Sequence, residues 1–220
     1  MKKLLFCVLL ASLLGLPTDA VAQFGTYTET GVGLGGEFSA GGTASMVGVK
    51  AGYVLGPTFE VGGALSRRTF EDVDLTATRV GPYAAYYPIQ EADGYPFSIL
   101  MRGSYSYVRF SGERVDDFQQ DGGSDTGNRF RFEIGAFPTL DVSDSLQLFP
   151  YLGVSYALRT EADAYDSREE LTGLNFRLLA QYETGGSVSV VVAPTAFVGD
   201  NDVSRFGGSV ALVFSTTRDG

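Results

Sequence analysis

Residues 129–140, which read RFRFEIGAFPTL, alternate between an apolar face and a second face that carries the charges, with Phe137 as the one large apolar residue on the second face. The even-numbered face is apolar throughout: Phe130, Phe132, Ile134, Ala136, Pro138 and Leu140. The odd-numbered face begins with two arginines and a glutamate. A period of two places successive side chains on opposite faces of an extended chain, whereas an amphipathic helix has a period of 3.6. The stretch therefore predicts a β-strand with one apolar and one polar face.

The same alternation recurs along the chain in segments long enough to cross a bilayer as tilted strands of about 9–11 residues. We count ten of them, at residues 27–40, 44–55, 59–70, 77–89, 96–110, 129–141, 146–160, 172–184, 188–199 and 205–215. Pro82, Pro138, Pro150 and Pro194 lie inside these segments, and we expect bulges there because proline cannot donate to a ladder. The fold class is predicted to be all-β: an antiparallel, up-and-down transmembrane β-barrel of about ten strands, with eight as the alternative.

The connections between the segments are of two kinds, which alternate along the chain. Tight or moderate turns at 56–58, 90–95, 141–145 and 184–187 alternate with longer polar loops at 71–76, 112–128, 161–171 and 199–204. The longer loops hold most of the acidic residues of a chain whose formal net charge is −10. Long polar loops at one end and short turns at the other are typical of transmembrane barrels.

The two faces of the segments indicate which side meets lipid. The apolar face carries almost no charge, as lipid contact requires, and its tyrosines and phenylalanines fall near both ends of the segments as two girdles. The polar face is mostly small residues with a few charges, which we expect to form a nearly balanced lumen charge network: Glu37, Lys50, Glu60, Arg79, Arg102, Arg131, Glu133, Arg159, Arg177 and Glu183. A soluble barrel would instead show a charge-rich polar face to water.

The amino terminus has the pattern of a secretory signal peptide. A basic pair (Lys2 and Lys3) precedes an apolar run at 4–16, and Ala20-Val21-Ala22 fits the small-x-small cleavage rule. We expect cleavage after Ala22, so that residues 1–22 are the signal peptide and 23–220 form the barrel domain. The single cysteine lies inside the apolar run, which excludes an internal disulfide framework.

The composition excludes several classes of function. A chain without histidine cannot build Ser-His-Asp catalysis or a histidine zinc site, and its acidity disfavours nucleic-acid binding. Residues 31–36 match G-x-G-x-x-G, but no helix can begin in the sequence that follows, so a dinucleotide site is not expected. The acidic stretches 121–125 and 200–202 lack EF-hand spacing. We therefore predict no catalytic residues, no cofactor and no metal site.

The signal, the alternating segments and the closing run at 207–214 together resemble the small bacterial outer-membrane β-barrels, broadly the porin-like or OmpA-type barrel-domain family. Two features depart from that pattern: residues 215–220 follow the last aromatic, Phe214, and no peptidoglycan-binding domain is attached. The resemblance implies a Gram-negative outer-membrane location, a monomer, and lipopolysaccharide and the barrel-assembly machinery as partners. Arg109, on the outward face, is a candidate contact for a lipid phosphate.

Three hypotheses for function remain open at this point. The first is a non-enzymatic structural or surface-interaction barrel whose lumen is closed by paired charges, with the acidic loop 112–128 as the contact surface. The second is a narrow channel in which Lys50, Arg102, Arg131 and Arg177 form a basic stripe that favours small anions. The third is a soluble periplasmic barrel that binds a ligand. The sequence does not separate a structural barrel from a receptor or an adhesin.

Overall fold

The computed structural model describes residues 30–41, 44–70, 74–113, 115, 125–160, 170–184, 187–199 and 204–215. These residues form the following strands: β1 (Gly31–Gly41), β2 (Ala44–Leu55), β3 (Phe59–Phe70), β4 (Leu75–Ile89), β5 (Ser98–Ser111), β6 (Thr126–Phe137), β7 (Leu140–Ser143), β8 (Leu146–Thr160), β9 (Glu170–Glu183), β10 (Val188–Gly199) and β11 (Ser204–Ser215). A single turn of 3₁₀ helix (Glu91–Asp93) lies between β4 and β5. Among the described residues, no helix is long and apolar enough to cross a bilayer.

The sheet closes into a barrel. Each long strand pairs antiparallel with its neighbours in the sequence, β6 pairs with β8, and β1 pairs with β11 from Gly31↔Ser215 onward. The short β7 pairs with the start of β8 and prolongs β6 after a break. The barrel therefore has ten strands in up-and-down order, which confirms the predicted fold class, and the alternative of eight strands is wrong.

The prolines do not form the bulges that the sequence suggested. Pairing of β6 with β8 ends at Ala136↔Leu152, and the prolines at 138 and 150 fall opposite each other in the gap before β7. Pro194 falls in a second gap, between β9 and β10, and the register there is unchanged across the gap. Pro82 lies in a similar gap between β4 and β5, where the register is also unchanged. Gaps at these positions are expected, because proline has no N–H to donate to the ladder. The register shift of β4 lies between Tyr86 and Ile89, an interval that contains a further proline, Pro88, which was not singled out from the sequence.

The turns after β2, β4, β7 and β9 lie at one end of the barrel, as the alternation of loop lengths predicts, and the short connection between Gly41 of β1 and Ala44 of β2 is an exception at the other end. Gly56 opens the turn between β2 and β3 with φ of 62°, a left-handed conformation that glycine adopts without steric cost. The Glu91 carboxylate accepts a hydrogen bond of 2.8 Å from the backbone N–H of Thr139, and this bond joins two neighbouring turns. Residues 1–22 and most of the longer loops lie outside the described residues, so the signal peptide stays a prediction.

Candidate functional site

The candidate site is the barrel interior, where the strands place most of the charges predicted from the sequence. Those buried or nearly buried on inward-facing positions are Glu37, Lys50, Glu60, Arg79, Arg102, Arg131, Glu133 and Arg177. Glu183 lies on the inward-facing register of β9 but is exposed at the short-turn end. The side chain of Arg159 lies outside what the structure describes. The interior thus brings eight of the ten predicted charges into one compartment.

Glu133 is the centre of a buried network that joins β6, β8 and β9. Its carboxylate is paired with the guanidinium of Arg177 and lies 3.3 Å from Nη2 of Arg131. The Tyr151 hydroxyl donates a further hydrogen bond of 2.6 Å, and Arg131 also donates to Oδ1 of Asn175 at 2.9 Å. A carboxylate with only 1% of its surface exposed is thereby held by two cations and a hydroxyl. Charge-assisted bonds of this kind are roughly twice as strong as neutral ones.

A second group of charges surrounds the ring of Tyr83 on β4. The guanidinium carbon of Arg102 lies 4.5 Å from the ring centroid, and the Lys50 ammonium lies 6.0 Å from it. In the Glu133 network, Arg177 lies over Tyr151 in the same way, at 4.7 Å. Cation–π contacts of this kind stabilise desolvated cations by about 2 kcal/mol. Two arginines inside the barrel therefore each stack on a tyrosine.

Among the described residues, inward cations outnumber inward carboxylates, whereas the sequence suggested a near balance. Eight cationic side chains of the described residues line the interior: Lys50, Arg68, Arg79, Arg102, Arg129, Arg131, Arg177 and Arg205. Of the carboxylates in the described part of the chain, three accompany them at depth: Glu37, Glu60 and Glu133. Arg68, Arg129 and Arg205 were missed, although their parity in the alternating pattern places each on the inward face. The described interior is thus basic within a chain whose net charge is −10.

An apolar cluster fills the short-turn half of the interior, and the sequence pattern did not predict it. The cluster contains Val54, Tyr83, Ala85, Tyr87, Leu100, Phe137, Phe149, Tyr151, Leu179, Val191, Ala193, Ala211 and Val213. The rings of Phe137 and Phe149 meet edge-on with centroids 6.3 Å apart, a favoured aromatic geometry. Tyr87, Leu100 and Phe137 are at most 2% exposed.

A cavity of about 90 Å³ lies between this cluster and the long-loop end. Four arginines line it (Arg79, Arg102, Arg129 and Arg131), together with Glu37, Glu133 and small side chains such as Ser104 and Ser106. The described residues contain no group of three or more acidic, cysteine or histidine side chains that could hold a metal ion. Residues 200–202 and 121–124 of the acidic stretches lie outside the described residues. Residues 31–36 lie in β1, so the G-x-G-x-x-G match does not open a helix.

The outer face of the barrel is apolar and exposed. Its exposed residues include Val49 and Leu34 at mid-strand, with exposures of 58% and 52%, and both predicted aromatic girdles. Tyr53, Tyr86, Phe97, Tyr182 and Phe214 are exposed near the short turns, and Tyr105, Tyr107, Phe130, Tyr156 and Phe206 near the long loops. Apart from Glu170, whose side chain is not described, the charges on outward strand positions are Arg67 and Arg109.

The chain was compared with known proteins. No family model and no curated protein matches it. Solved structures that are similar include the β domain of the Bordetella autotransporter BrkA (12% identity, 85% of this chain and 99% of that chain covered, TM-score 0.47). The translocator domain of the autotransporter NalP from Neisseria meningitidis is another (14% identity, 97% and 95% covered, TM-score 0.46). A third is an outer-membrane channel from Pseudomonas putida F1 (12% identity, 89% and 99% covered, TM-score 0.47).

The chain's own geometry combines a closed antiparallel barrel, tight turns at one end and an exposed apolar outer face. The architecture is that of a small outer-membrane β-barrel. In such a barrel the backbone groups are satisfied between strands and no sheet edge meets lipid. Because the ten strands close into a barrel, the charged side chains in its interior are separated from the apolar outer face.

Proposed function

We propose that the protein is a non-enzymatic, integral barrel of the Gram-negative outer membrane with a structural or surface-interaction role. The observation that carries this proposal is the outer face, on which large apolar side chains are 37–63% exposed along every long strand. A soluble protein rarely exposes a contiguous apolar surface of this extent, whereas a lipid-facing barrel requires one. This contrast disfavours the soluble periplasmic alternative.

We further propose that the lumen does not conduct. Two features support this: the apolar cluster in the short-turn half, and the Glu133 network beside it, which spans from β6 to β9. Small barrels of this size have interiors that side chains can fill. The absence of histidine from the whole chain supports a non-enzymatic role, because the common proton-transfer arrangements use that residue.

Planar-bilayer recording tests the closed lumen. The folded protein, identified by faster migration on gels before boiling than after it, is expected to give no discrete conductance steps. Arg102→Ala and Arg131→Ala, which shorten side chains on the cavity wall, are expected to give none either, because the apolar cluster remains in place. Reproducible steps in the wild-type protein would reject the closed lumen.

A narrow anion-favouring channel is the second candidate function. It is supported by the excess of inward cations over carboxylates in the described part of the barrel, which lowers the energy of an anion there. Conductance that carries chloride in preference to potassium would establish this candidate over the first one.

Lipopolysaccharide is the partner that we propose for the outer face, with the barrel-assembly machinery as the partner during insertion and a monomer as the final state. The supporting observation is a row across three strands: Arg67 pairs with Thr78, and Thr78 pairs with Arg109. Adjacent strands are about 4.8 Å apart, so the two arginine positions lie roughly 10 Å apart near the long-loop end. The Arg109 Nε also lies 3.6 Å from the Asp125 carboxylate. Two like charges on a lipid face whose other described side chains are uncharged suit a phosphorylated headgroup.

Removing both arginines tests this partner. The Arg67→Ala, Arg109→Ala variant is expected to bind lipid A vesicles roughly 30-fold more weakly, since each cation near an anionic surface contributes about 1 kcal/mol. Co-sedimentation with vesicles that contain lipid A with or without its phosphates is the measurement. Arg168→Ala, which removes a cation from a predicted loop, serves as the matched control. Equal binding by the double variant and the wild-type protein would reject the site.

A further inference from the structure

An apolar groove crosses the outer face of the barrel at the level of the prolines. Its volume is about 790 Å³, which lies within the range of about 300–1,000 Å³ that small-molecule sites occupy. The outward-facing residues along its floor have small or compact side chains: Ala136, Pro138, Pro150, Pro194 and Ala196. Larger side chains that are 42–53% exposed rise beside them: Leu152, Phe176 and Leu178. The groove is therefore a recess in a surface that large apolar side chains otherwise cover.

A gap in the ladder between β9 and β10 deepens the groove. The described ladder lacks two pairs there, and Pro194 lies opposite Leu178 in the gap. Proline has no N–H to donate to the neighbouring strand, and its ring is held close to the backbone. The lining of the groove also includes Tyr151, Arg177 and Thr195, which occupy inward-facing positions. The groove therefore extends from the outer face into the wall of the barrel.

The groove runs obliquely from one aromatic girdle to the other. The register of β5 and β6 places Phe97 opposite Pro138 near the short turns, and Ala196 pairs with Phe206 near the long loops. Five strand spacings of about 4.8 Å separate β5 from β11, so the groove is roughly 24 Å long. Half of the hydrocarbon core of a bilayer is about 15 Å thick. A hydrocarbon chain that spans one leaflet therefore fits along the groove.

The lining favours a hydrocarbon chain over a charged or hydrogen-bonding ligand. Apart from Tyr151, Arg177 and Thr195, the residues that line the groove are apolar. Arg177 is paired with Glu133, and its side chain is only 2% exposed. The groove is also continuous on both sides with the exposed apolar outer face. A recess left empty there would lose dispersion contacts on one side, and a flexible chain can follow its shape.

We propose that the groove binds one acyl chain of a phospholipid in the periplasmic leaflet. The floor residues Pro138 and Pro150 lie in the short-turn half of the barrel, and short turns of such barrels face the periplasm. The inference rests on the proposed membrane location of the outer face. Lipid tails are as apolar as the groove, so packing into the recess holds the chain there and transfer from water contributes nothing.

Photochemical cross-linking in vesicles tests the site. The probe is phosphatidylethanolamine with a carbene-generating group within one acyl chain, and the labelled residues are identified by mass spectrometry of peptides. Outward positions of β8, β9 and β10 along the groove are expected to be labelled roughly tenfold more than outward positions of β2 and β3, because the recess adds several dispersion contacts to a bound chain. The wild-type protein alone supplies this comparison, so it does not depend on any variant that fails to fold.

Ala196→Phe, which fills the floor of the groove, is expected to reduce labelling there to the level of β2 and β3. Ala51→Phe is the matched control, because it makes the same change on the outward face of β2, away from the groove, and is expected to label as the wild-type protein does. Native mass spectrometry after detergent exchange is expected to show one phospholipid retained per wild-type chain and per Ala51→Phe chain, and none on Ala196→Phe.

Uniform labelling of the wild-type outer face, or equal labelling of the groove in the two alanine variants, would overturn the proposal. Retention of lipid A in place of phospholipid, or a dimer of the chain cross-linked through the groove, would reject the phospholipid as occupant. Heat-modifiable migration and release from cells without detergent are recorded for every sample. A chain that is not heat-modifiable, or that is released without detergent, has failed as a membrane barrel. A heat-modifiable, membrane-bound chain with uniform labelling has failed only as a groove for one acyl chain.

Discussion

Glu133→Gln is expected to lower the free energy of unfolding by about 3–5 kcal/mol, the largest effect of any single polar substitution in this barrel. The substitution removes the negative charge that two buried cations share, Arg177 and Arg131. Arg177 is 5% exposed and stacks on Tyr151, so it cannot reach water to recover its solvation. Breaking one partner out of a buried charge network leaves the other charges uncompensated, which costs far more than an exposed pair does.

Urea titration of the barrel in lipid vesicles measures this loss. Because the chain has no tryptophan, far-ultraviolet circular dichroism and the gel shift on boiling are the suitable readouts. Glu183→Gln is the matched control, because it makes the same chemical change at another inward-facing position that is exposed at the end of β9. It is expected to change the free energy of unfolding by less than about 0.5 kcal/mol. A second comparison uses Glu133→Leu combined with Arg177→Met, which removes both charges and is expected to cost less than Glu133→Gln alone. Equal stabilities of Glu133→Gln and Glu183→Gln would contradict the network.

The strands could be predicted from the sequence because alternation is a local property. The segments 44–55, 59–70, 146–160 and 188–199 match β2, β3, β8 and β10 at both bounds. The first described strand begins at Gly31 instead of residue 27, and the sixth segment is divided into β6 and β7 by the break at Pro138. Each difference lies at a strand end or at a proline, where the alternation of side chains does not determine the exact strand boundary.

The positions of Pro138, Pro150 and Pro194 relative to one another could not be predicted from the alternation of side chains along each strand. Pro150 pairs with Leu178 across β8 and β9, and Pro194 pairs with Gly208 across β10 and β11. The prolines therefore lie along one level of neighbouring strands and alternate with intact pairs. This arrangement depends on the register of five strands, and register is set by closure of the whole barrel. The pattern within each strand gives the position of its own proline but not which residue of the neighbouring strand lies opposite it.

The interior was predicted in part for a related reason. Whether a residue occupies an odd or an even position within its strand indicates which face it lies on. This rule correctly assigned Lys50, Glu60 and Glu133 to the interior. It cannot identify partners, since Glu133 and Arg177 are 44 positions apart in the chain. It also does not distinguish an inward aromatic that fills the barrel from a strand aromatic in general, so the cluster around Phe137 was missed. At residues 67–68, neighbouring arginines occupy opposite faces, and Arg68, which shares the even-numbered face of β3 with Glu60, is the buried one.

Val49→Arg is expected to destabilise the inserted barrel by about 2–4 kcal/mol, and this result separates a membrane barrel from a soluble one. Val49 lies at the middle of β2 with 58% of its surface exposed, and its cross-strand neighbours Gly36 and Leu65 offer no counter-charge. In lipid, an arginine there must remain near mid-bilayer or distort the surrounding membrane. In water, the same exposed arginine would be tolerated or would improve solubility.

The control for Val49→Arg is the same kind of substitution on the same strand but closer to the membrane surface. Leu55→Arg makes a similar change on the same outward face of β2, at the short-turn end with 48% exposure, where we expect a loss of about 0–1 kcal/mol. Urea titrations in vesicles give the two values, and fractionation of cells shows whether the wild-type chain requires detergent for release. A graded loss from Leu55 to Val49 follows only if the apolar belt faces hydrocarbon. The opposite outcome is that the two variants are equally stable and the wild-type chain is released without detergent. In that case the outer face contacts water, and the soluble periplasmic barrel becomes the better explanation.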